Sequence, residues 1–336
     1  MNRMREAMGD PKPDGGRGPT RWSDDLPETW PDVATYYGQP ILKEPEWTWE
    51  VPWYLFLGGL GGSASVLAAA EALFGDDAGA ERARWLAAFA AVASPPLLIT
   101  DLGRPTRFLA MLRVFKPTSA MSVGSWTLAA YSGAAVGAAA SDYLPVVRRL
   151  RPLADAGAGA LGVVMSTYTG VLVADSAIPV WHHARRELPL LFASSALGSA
   201  AGLLQAMHPA PVMQRLVIGA AATELAVERR MVSHLGALGE VYEHGDVGRW
   251  SKAAKVCTAA GAVASLVPNR WARRLGGVLV AAGGLCQRWS VYRAGFASAA
   301  DPRHVVAPQR RREPVPAGDR AAPQAEAARW TRSRSA

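Results

Sequence analysis

Acidic side chains at the ends of long apolar stretches are the residues of this sequence best placed to do chemistry. Asp101 ends one stretch and is followed three residues later by Arg104, Asp175 follows another stretch, and Glu224 lies inside a third. Acids in or beside a membrane normally pair with a cation or transfer protons. For Asp101 and Arg104 the alternative is a local ion pair that caps a helix. For Glu224 the alternatives are proton conduction and a structural buried acid.

Aromatic and hydroxyl side chains occur in the same stretches. Trp49 and Tyr54 open the first stretch, Ser125 opens the third, and Tyr168 lies within the fourth. The rings could belong to an interfacial aromatic belt, and the hydroxyls could bond back to their own helix. If the groups converge, they suit a flat ring with two carbonyl oxygens, such as a quinone.

The elements that carry these residues are predicted to be membrane-spanning helices. The mean hydropathy of +0.05 resembles that of a soluble protein, but Lys and Arg are confined to short patches between apolar blocks. About 20 apolar residues cross a bilayer. Five blocks meet this length clearly or nearly: 53–74, 85–100, 121–141, 156–174 and 188–207. Three blocks are weaker: 216–228 contains Glu224, and 256–268 and 275–287 are short. Snorkelling of the flanking Lys255, Arg270, Arg274 and Arg288 could lengthen the last two to spanning size.

Eight spans would place both termini and one set of helix ends on the same side of the membrane. Spans one and three begin there, and spans two and four end there, so the candidate residues Trp49 to Asp175 converge at one end of a four-helix bundle. Loops and tails on that side carry more Lys and Arg. The positive-inside rule then favours a cytoplasmic location for this side of the cell membrane.

Composition argues against several other classes. The two cysteines, Cys257 and Cys286, cannot hold an iron–sulfur cluster. All six histidines fall at predicted span ends, in loops or in the tail, so we expect no haem and no metal site. The net charge of +8 comes from loops and tails, which favours membrane-flanking charge over nucleic-acid binding.

The predicted fold class is an all-α polytopic membrane protein with about eight transmembrane helices in two four-helix bundles. Its predicted parts are a polar N-terminal tail (1–46), a first bundle with the candidate site (47–187), a second bundle (188–298) and a polar C-terminal tail (299–336).

Four sequence stretches resemble the NrfD family, the membrane subunits of polysulfide reductases and related oxidoreductases. They are YLFLGG (54–59), DLGRP (101–105), FKPTSAMSVGSW (115–126) and YTGVL (168–172). Ser298-Ala299, Asp301-Pro302 and Gln309-Arg310 are similar to the C-terminal signature of that family. The resemblance covers roughly residues 40–312 and is looser after the fourth span.

The resemblance implies eight or more spans in two bundles, no haem, and a quinol site in the first bundle beside an iron–sulfur partner. Electrons would pass between that partner and the quinone. Tyr168 is the family position that carries over as a quinone contact. The His and Asn residues found before span one in the polysulfide reductase type are replaced here by Trp49 and Glu50.

We therefore expect a non-catalytic membrane anchor that binds menaquinone or another quinone and works with an iron–sulfur subunit and a catalytic oxidoreductase subunit. Tyr168 and Ser125 would bind the quinone carbonyls, with Trp49 and Tyr54 alongside. Asp101 would exchange the proton under the influence of Arg104, and Asp175 and Glu224 would form a proton route. The alternatives are a transporter or proton-conducting protein without redox chemistry and a purely structural anchor.

Overall fold

Helices make up all the regular structure in the part of the chain that the computed structural model describes, which is residues 42, 45, 47–102, 105–141, 143 and 148–301. The helices are α1 (Glu50–Leu73), α2 (Asp77–Asp101), α3 (Pro105–Met111), α4 (Ala120–Ala140), α5 (Arg151–Ala174), α6 (Pro179–His183), α7 (Leu188–Met207), α8 (Pro211–Leu235), α9 (Gly245–Leu266) and α10 (Arg270–Ala300). The predicted all-helical class is confirmed. The predicted tails lie almost entirely outside the described residues.

Within the described part of the chain, four helices are long and apolar enough to cross a membrane. They are α1, α2, α7 and the helix formed by α5 with the short 3-10 turn before it, Arg148–Ala174. Their positions match the predicted spans 53–74, 85–100, 156–174 and 188–207. The predicted third span, 121–141, coincides with α4, which does not reach the same hydropathy over the required length.

The last three helices are longer than the weak spans predicted for them. Helices α8, α9 and α10 have 25, 22 and 31 residues. Each continues through charged residues at which the predicted spans were expected to end. Arg288 shows the difference most clearly. It lies well inside α10 with none of its surface exposed, so the prediction that it snorkels from a helix end is wrong.

Local sequence accounts for several helix boundaries. Gly75 has a φ of +83°, which permits the tight turn between α1 and α2. Oδ1 of Asp76 then accepts the backbone N–H of Gly79 at 2.9 Å and caps α2. Asn269 caps α10 in the same way through the backbone N–H of Trp271 at 2.8 Å.

Helix contacts follow a simple order. In the first half, α1 contacts α2 and α5, and α4 contacts the same two helices. In the second half, α7 contacts α8 and α10, and α9 also contacts α8 and α10. The halves meet where α7 packs against α1 and α5, and where α10 packs against α1.

Glycine pairs allow two of these helix contacts to be very close. A Cβ atom on Gly62 of α1 would lie 2.6 Å from the backbone oxygen of Gly162 on α5. Gly202 of α7 and Gly277 of α10 approach each other in the same way. Such backbone contact is typical of helix pairs joined through small residues in membranes.

A buried ion pair connects α2 to α5. Nε of Arg84 lies 2.8 Å from Oδ1 of Asp155, and its Nη2 lies 3.2 Å from Oδ2. Arg84 is 2 % exposed and Asp155 is 5 % exposed. The sequence did not predict this pair, because the two residues are 71 positions apart.

Candidate functional site

Two carboxylates and one hydroxyl meet where α1 begins and α2 ends. Oδ1 of Asp101 accepts hydrogen bonds from the backbone N–H of Thr48 at 3.0 Å and from the Thr48 hydroxyl at 2.9 Å. The same hydroxyl contacts Oε2 of Glu50. Glu50 is buried and Asp101 is half-buried. The Thr48 hydroxyl therefore bridges the two carboxyl groups.

The sequence predicted a different neighbour for Asp101. Arg104, the predicted neighbour, lies outside the described residues. Thr48 was not predicted, and its only signal is its position two residues before Glu50 at a helix start, where hydroxyl side chains are common.

The Tyr168 side chain joins α5 to the first turn of α4. Its hydroxyl donates a hydrogen bond to the backbone oxygen of Ala120 at 2.6 Å. The ring and hydroxyl lie directly over Gly124, and a Cβ atom there would overlap the phenol oxygen. Tyr168 thus lies at the end of the bundle predicted for it, but its hydroxyl already donates its hydrogen bond to the protein backbone.

Ser125 is nearby on α4, and its hydroxyl remains within its own helix. It donates to the backbone oxygen of Ser122 at 3.0 Å, which is the local alternative considered above. Ser125 is buried.

Tyr54 and Asp175 are the other predicted residues that lie near Tyr168. Tyr54 is 2 % exposed on α1, and both its hydroxyl and the Asp175 carboxylate lie near the Tyr168 hydroxyl. Asp175 follows the last residue of α5 and is exposed. It lines an open cavity of about 410 Å³ with His182.

Aromatic side chains attach the segment before α1 to the second half of the chain. Trp47 stacks on Trp181 of α6, with ring centroids 5.1 Å apart. Its backbone oxygen accepts the hydroxyl of Tyr292 at 2.8 Å, and Nε1 of Trp181 donates to the backbone oxygen of Val291 at 2.7 Å. Trp49, the predicted aromatic contact, is half-buried at the position before α1. These contacts fix the start of α1, and hence Thr48 and Glu50.

Glu224 lies deep in the second half, between α8, α7 and α10. It is 1 % exposed, and neither carboxylate oxygen has a hydrogen-bond partner among the described residues. Its polar neighbours are the Ser195 hydroxyl and the guanidinium of Arg288. Glu224 therefore occupies a site separate from the cluster around Asp101.

Arg288 is held by two helices and an aromatic ring. Its Nη2 donates to the backbone oxygen of Phe192 at 2.8 Å, and its Nη1 donates to that of Gly284 at 3.3 Å. The guanidinium lies 4.5 Å from the centroid of the Phe192 ring. The sequence did not predict this buried cation.

Glu228 connects the buried acid to the surface. It lies one helical turn after Glu224, accepts the Ser251 hydroxyl at 3.3 Å and pairs with Nζ of Lys255 at 3.6 Å. Half of the Lys255 side chain is exposed. The hydroxyl of Tyr242, in the turn after α8, is also close, and its burial together with the Glu228 carboxylate raises the pKa of Tyr242.

The residues around α1 fit a quinone by their chemistry. The hydroxyls of Tyr54 and Tyr168 are donors suited to carbonyl oxygens, and the acids Glu50 and Asp101 are suited to the protons that quinone reduction takes up. Thr169, next to Tyr168, has a buried hydroxyl without a hydrogen-bond partner among the described residues. A bound ring would supply an acceptor for it.

Comparison with known proteins matches the first half of the chain to one family. The family model described as "Polysulphide reductase, NrfD" matches residues 42–216, slightly more than half of the sequence. No curated protein matches the chain significantly. The matched segment contains the Asp101 cluster and Tyr168, whereas Glu224 and Arg288 follow it.

Proposed function

The chain belongs to the NrfD polysulphide reductase family of oxidoreductase membrane subunits, and from that premise we propose that it binds a quinone, menaquinone or a similar molecule. The observation that carries the proposal is the junction of Thr48, Glu50 and Asp101 at the same end of the helices as Tyr168. Hydrogen-bond donors for carbonyls and acids for protons lie together there.

Tyr168 would bind the quinone by changing hydrogen-bond acceptors. Its hydroxyl now donates to the backbone oxygen of Ala120, and on binding it would donate to a quinone carbonyl oxygen instead. Tyr54 would line the ring on the α1 side. Binding would therefore require a small movement of the Tyr168 ring over Gly124.

Proton exchange would run through the acids at the start of α1. Quinone chemistry moves protons together with electrons, so an acid beside the ring must gain and lose a proton in each turnover. Asp101 would be that acid, and the Thr48 hydroxyl would pass the proton to Glu50. Arg104 would tune the charge of Asp101, and Ser125 would support the α4 side of the ring.

An iron–sulfur subunit would supply or take the electrons, with a catalytic oxidoreductase subunit beyond it. The family's members partner with such subunits. The end of the bundle where Asp101 and Tyr168 lie would face them, and we assign it to the cytoplasmic side of the cell membrane from the distribution of Lys and Arg.

We further propose eight transmembrane spans in two four-helix bundles. The support is the pattern of helix contacts, in which α1, α2, α4 and α5 form one group and α7 to α10 form another. Exposed apolar side chains on α9, such as Val256 at 65 % and Val263 at 63 %, fit a surface that contacts lipid.

The second bundle would provide a proton route. Glu224 is a buried acid without a hydrogen-bond partner among the described residues, and Glu228 with Lys255 connects it towards the surface. Asp175, exposed beside His182, would be the outer acid of the first bundle. The same Glu224 would serve a proton-conducting protein without redox chemistry, which is the second candidate function.

Quinone-dependent electron transfer by the purified complex tests the proposal. We expect Tyr168→Phe to lower the turnover about ten-fold, the value of one lost hydrogen bond, and Asp101→Asn to lower it roughly a hundred-fold, as for a lost acid–base group. Matched controls are Tyr143→Phe and Asp77→Asn, which change exposed side chains elsewhere. Full activity and quinone affinity in both test variants would reject the site.

Quinone-independent proton flux separates the two candidate functions. If liposomes that contain the chain alone conduct protons without any quinone, and Glu224→Gln abolishes that flux, the chain is a proton conductor rather than a redox subunit.

A further inference from the structure

A continuous groove runs along the outer surface between α7 and α8. It consists of two adjoining cavities of about 430 and 540 Å³ that share Leu190 and Val227. The wall of the first cavity is mostly apolar and includes the side chains of Leu197, Leu216 and Ala220. From Val227 to Leu216 the groove follows 11 residues of α8, which is about 16 Å. That length is close to half of the roughly 30 Å hydrocarbon core of a bilayer.

The two ends of the groove are basic. Exposed Arg186 and Arg230 line one end together with His234, and Arg215 lies at the other end. The acid at the first end is Glu187, which is 5 % exposed. Its Oε1 lies 3.0 Å from Nδ1 of His234. The Glu187 carboxylate is therefore buried and paired with His234, while the Arg186 and Arg230 side chains are exposed at the entrance.

This combination of a basic entrance and an apolar channel matches an anionic phospholipid. We propose that the groove binds one such lipid, with its phosphodiester between Arg186 and Arg230 and an acyl chain along Leu190, Leu197 and Leu216. Two planar guanidinium groups suit phosphate oxygens. Basic pockets between membrane helices are known to select anionic headgroups. Because α7 is apolar enough to span the membrane, the groove lies at the depth where acyl chains are found.

The two arginines should determine which lipid remains bound. Each guanidinium group that contacts the anionic headgroup should strengthen lipid binding about five-fold, so the double variant Arg186→Gln/Arg230→Gln should lose about thirty-fold in affinity. The matched control is Arg185→Gln/Arg229→Gln, which removes two adjacent exposed charges that do not line the groove. We expect its lipid binding to be unchanged.

The apolar channel can be blocked without a change of charge. Gly219 lines it, and a Cβ atom there would have no neighbour within 4 Å. Gly219→Phe should therefore fold normally while it fills the space of the acyl chain. We expect this variant to retain much less lipid although both arginines are present.

Native mass spectrometry of the complete protein tests these expectations. The purified chain would be exchanged into nanodiscs of phosphatidylethanolamine with a minor fraction of phosphatidylglycerol, and retained phospholipid would be counted for each variant. The expected result is selective retention of phosphatidylglycerol, lost in the double arginine variant and in Gly219→Phe. Equal retention in the test and control variants would overturn the proposal.

Two further results would also overturn it. One is retention of phosphatidylglycerol that depends on both arginines but is indifferent to Gly219→Phe, since this would indicate an anion site without an acyl chain. The other is a photoreactive residue in place of Leu190 that crosslinks to a protein instead of a lipid.

Discussion

The ring of Tyr168 occupies the space that a side chain on Gly124 would need. The phenol hydroxyl, the ring and the backbone oxygen of Ala120 lie together over this glycine. Because α4 and α5 meet through this contact, the residue type at position 124 controls where the Tyr168 hydroxyl lies. The glycine is thus part of the candidate quinone site although it has no polar side chain.

Gly124→Ala should act on the site as strongly as Tyr168→Phe. The added methyl group displaces the ring and breaks its bond to Ala120, so we expect quinone-dependent turnover to fall about ten-fold. Steady-state kinetics of the purified complex measure it. Gly137→Ala on the same helix is the control, since a Cβ atom there has no neighbour within 4 Å. Equal turnover in both variants would contradict the link to Tyr168.

The Thr48 hydroxyl provides a second test. Thr48→Val keeps the shape and the backbone N–H that binds Asp101 but removes the hydroxyl between the two acids. We expect turnover to fall about ten-fold and Thr48→Ser to restore it, because the serine hydroxyl can still contact both carboxylates. The pH–rate profile should change in the valine variant alone. Unchanged profiles in both variants would show that the hydroxyl relays no proton.

The buried Arg84–Asp155 pair predicts a pattern of stability. Arg84→Met leaves Asp155 buried without its guanidinium partner and should lower the free energy of unfolding by about 3–5 kcal/mol. The double variant Arg84→Met/Asp155→Leu should recover most of this loss, since two apolar side chains suit the same space. Thermal unfolding in detergent of the single and double variants measures both. A double variant as unstable as the sum of the single variants would contradict the interpretation.

Glu224 can be tested apart from quinone binding. Glu224→Gln should slow proton uptake coupled to turnover in proteoliposomes, as reported by a pH-sensitive dye, while the KM for quinone stays the same. The reason is that Glu224 lies outside the Asp101 cluster, and its polar neighbours among the described residues are Ser195, Arg288 and Glu228. Glu240→Gln is the control, because Glu240 is exposed. A raised KM with normal proton uptake would place Glu224 in substrate binding instead.

The sequence predicted those features of the fold that depend on the residues of one continuous segment. Long apolar runs located α1 and α7 to within a few residues, since nothing interrupts them. The second half was predicted less well, because Glu224 and Arg288 were treated as marks of short or ending spans. A buried charge is tolerated inside a helix when distant groups satisfy it, and those groups cannot be read from neighbouring residues.

In the candidate site, too, the sequence indicated individual residues but not their distant partners. Asp101, Tyr54 and Tyr168 could be proposed from the sequence because each marks a particular end of an apolar stretch, and alternating helix directions bring these ends together. Their partners were not found. The Asp101 carboxylate is bound by Thr48, 53 positions away, and the start of α1 is held by Tyr292, 245 positions from Trp47.

The separation of Arg84 from Asp155 also has a consequence for how the chain is made. Asp155 follows Arg84 by 71 residues, so a ribosome that adds 5–20 residues per second needs roughly 4–14 s to supply it. During that interval α2 carries its cation into the insertion machinery before this carboxylate exists. The ion pair between α2 and α5 therefore forms only after α5 has been made, and a pause in translation between the two helices would delay it.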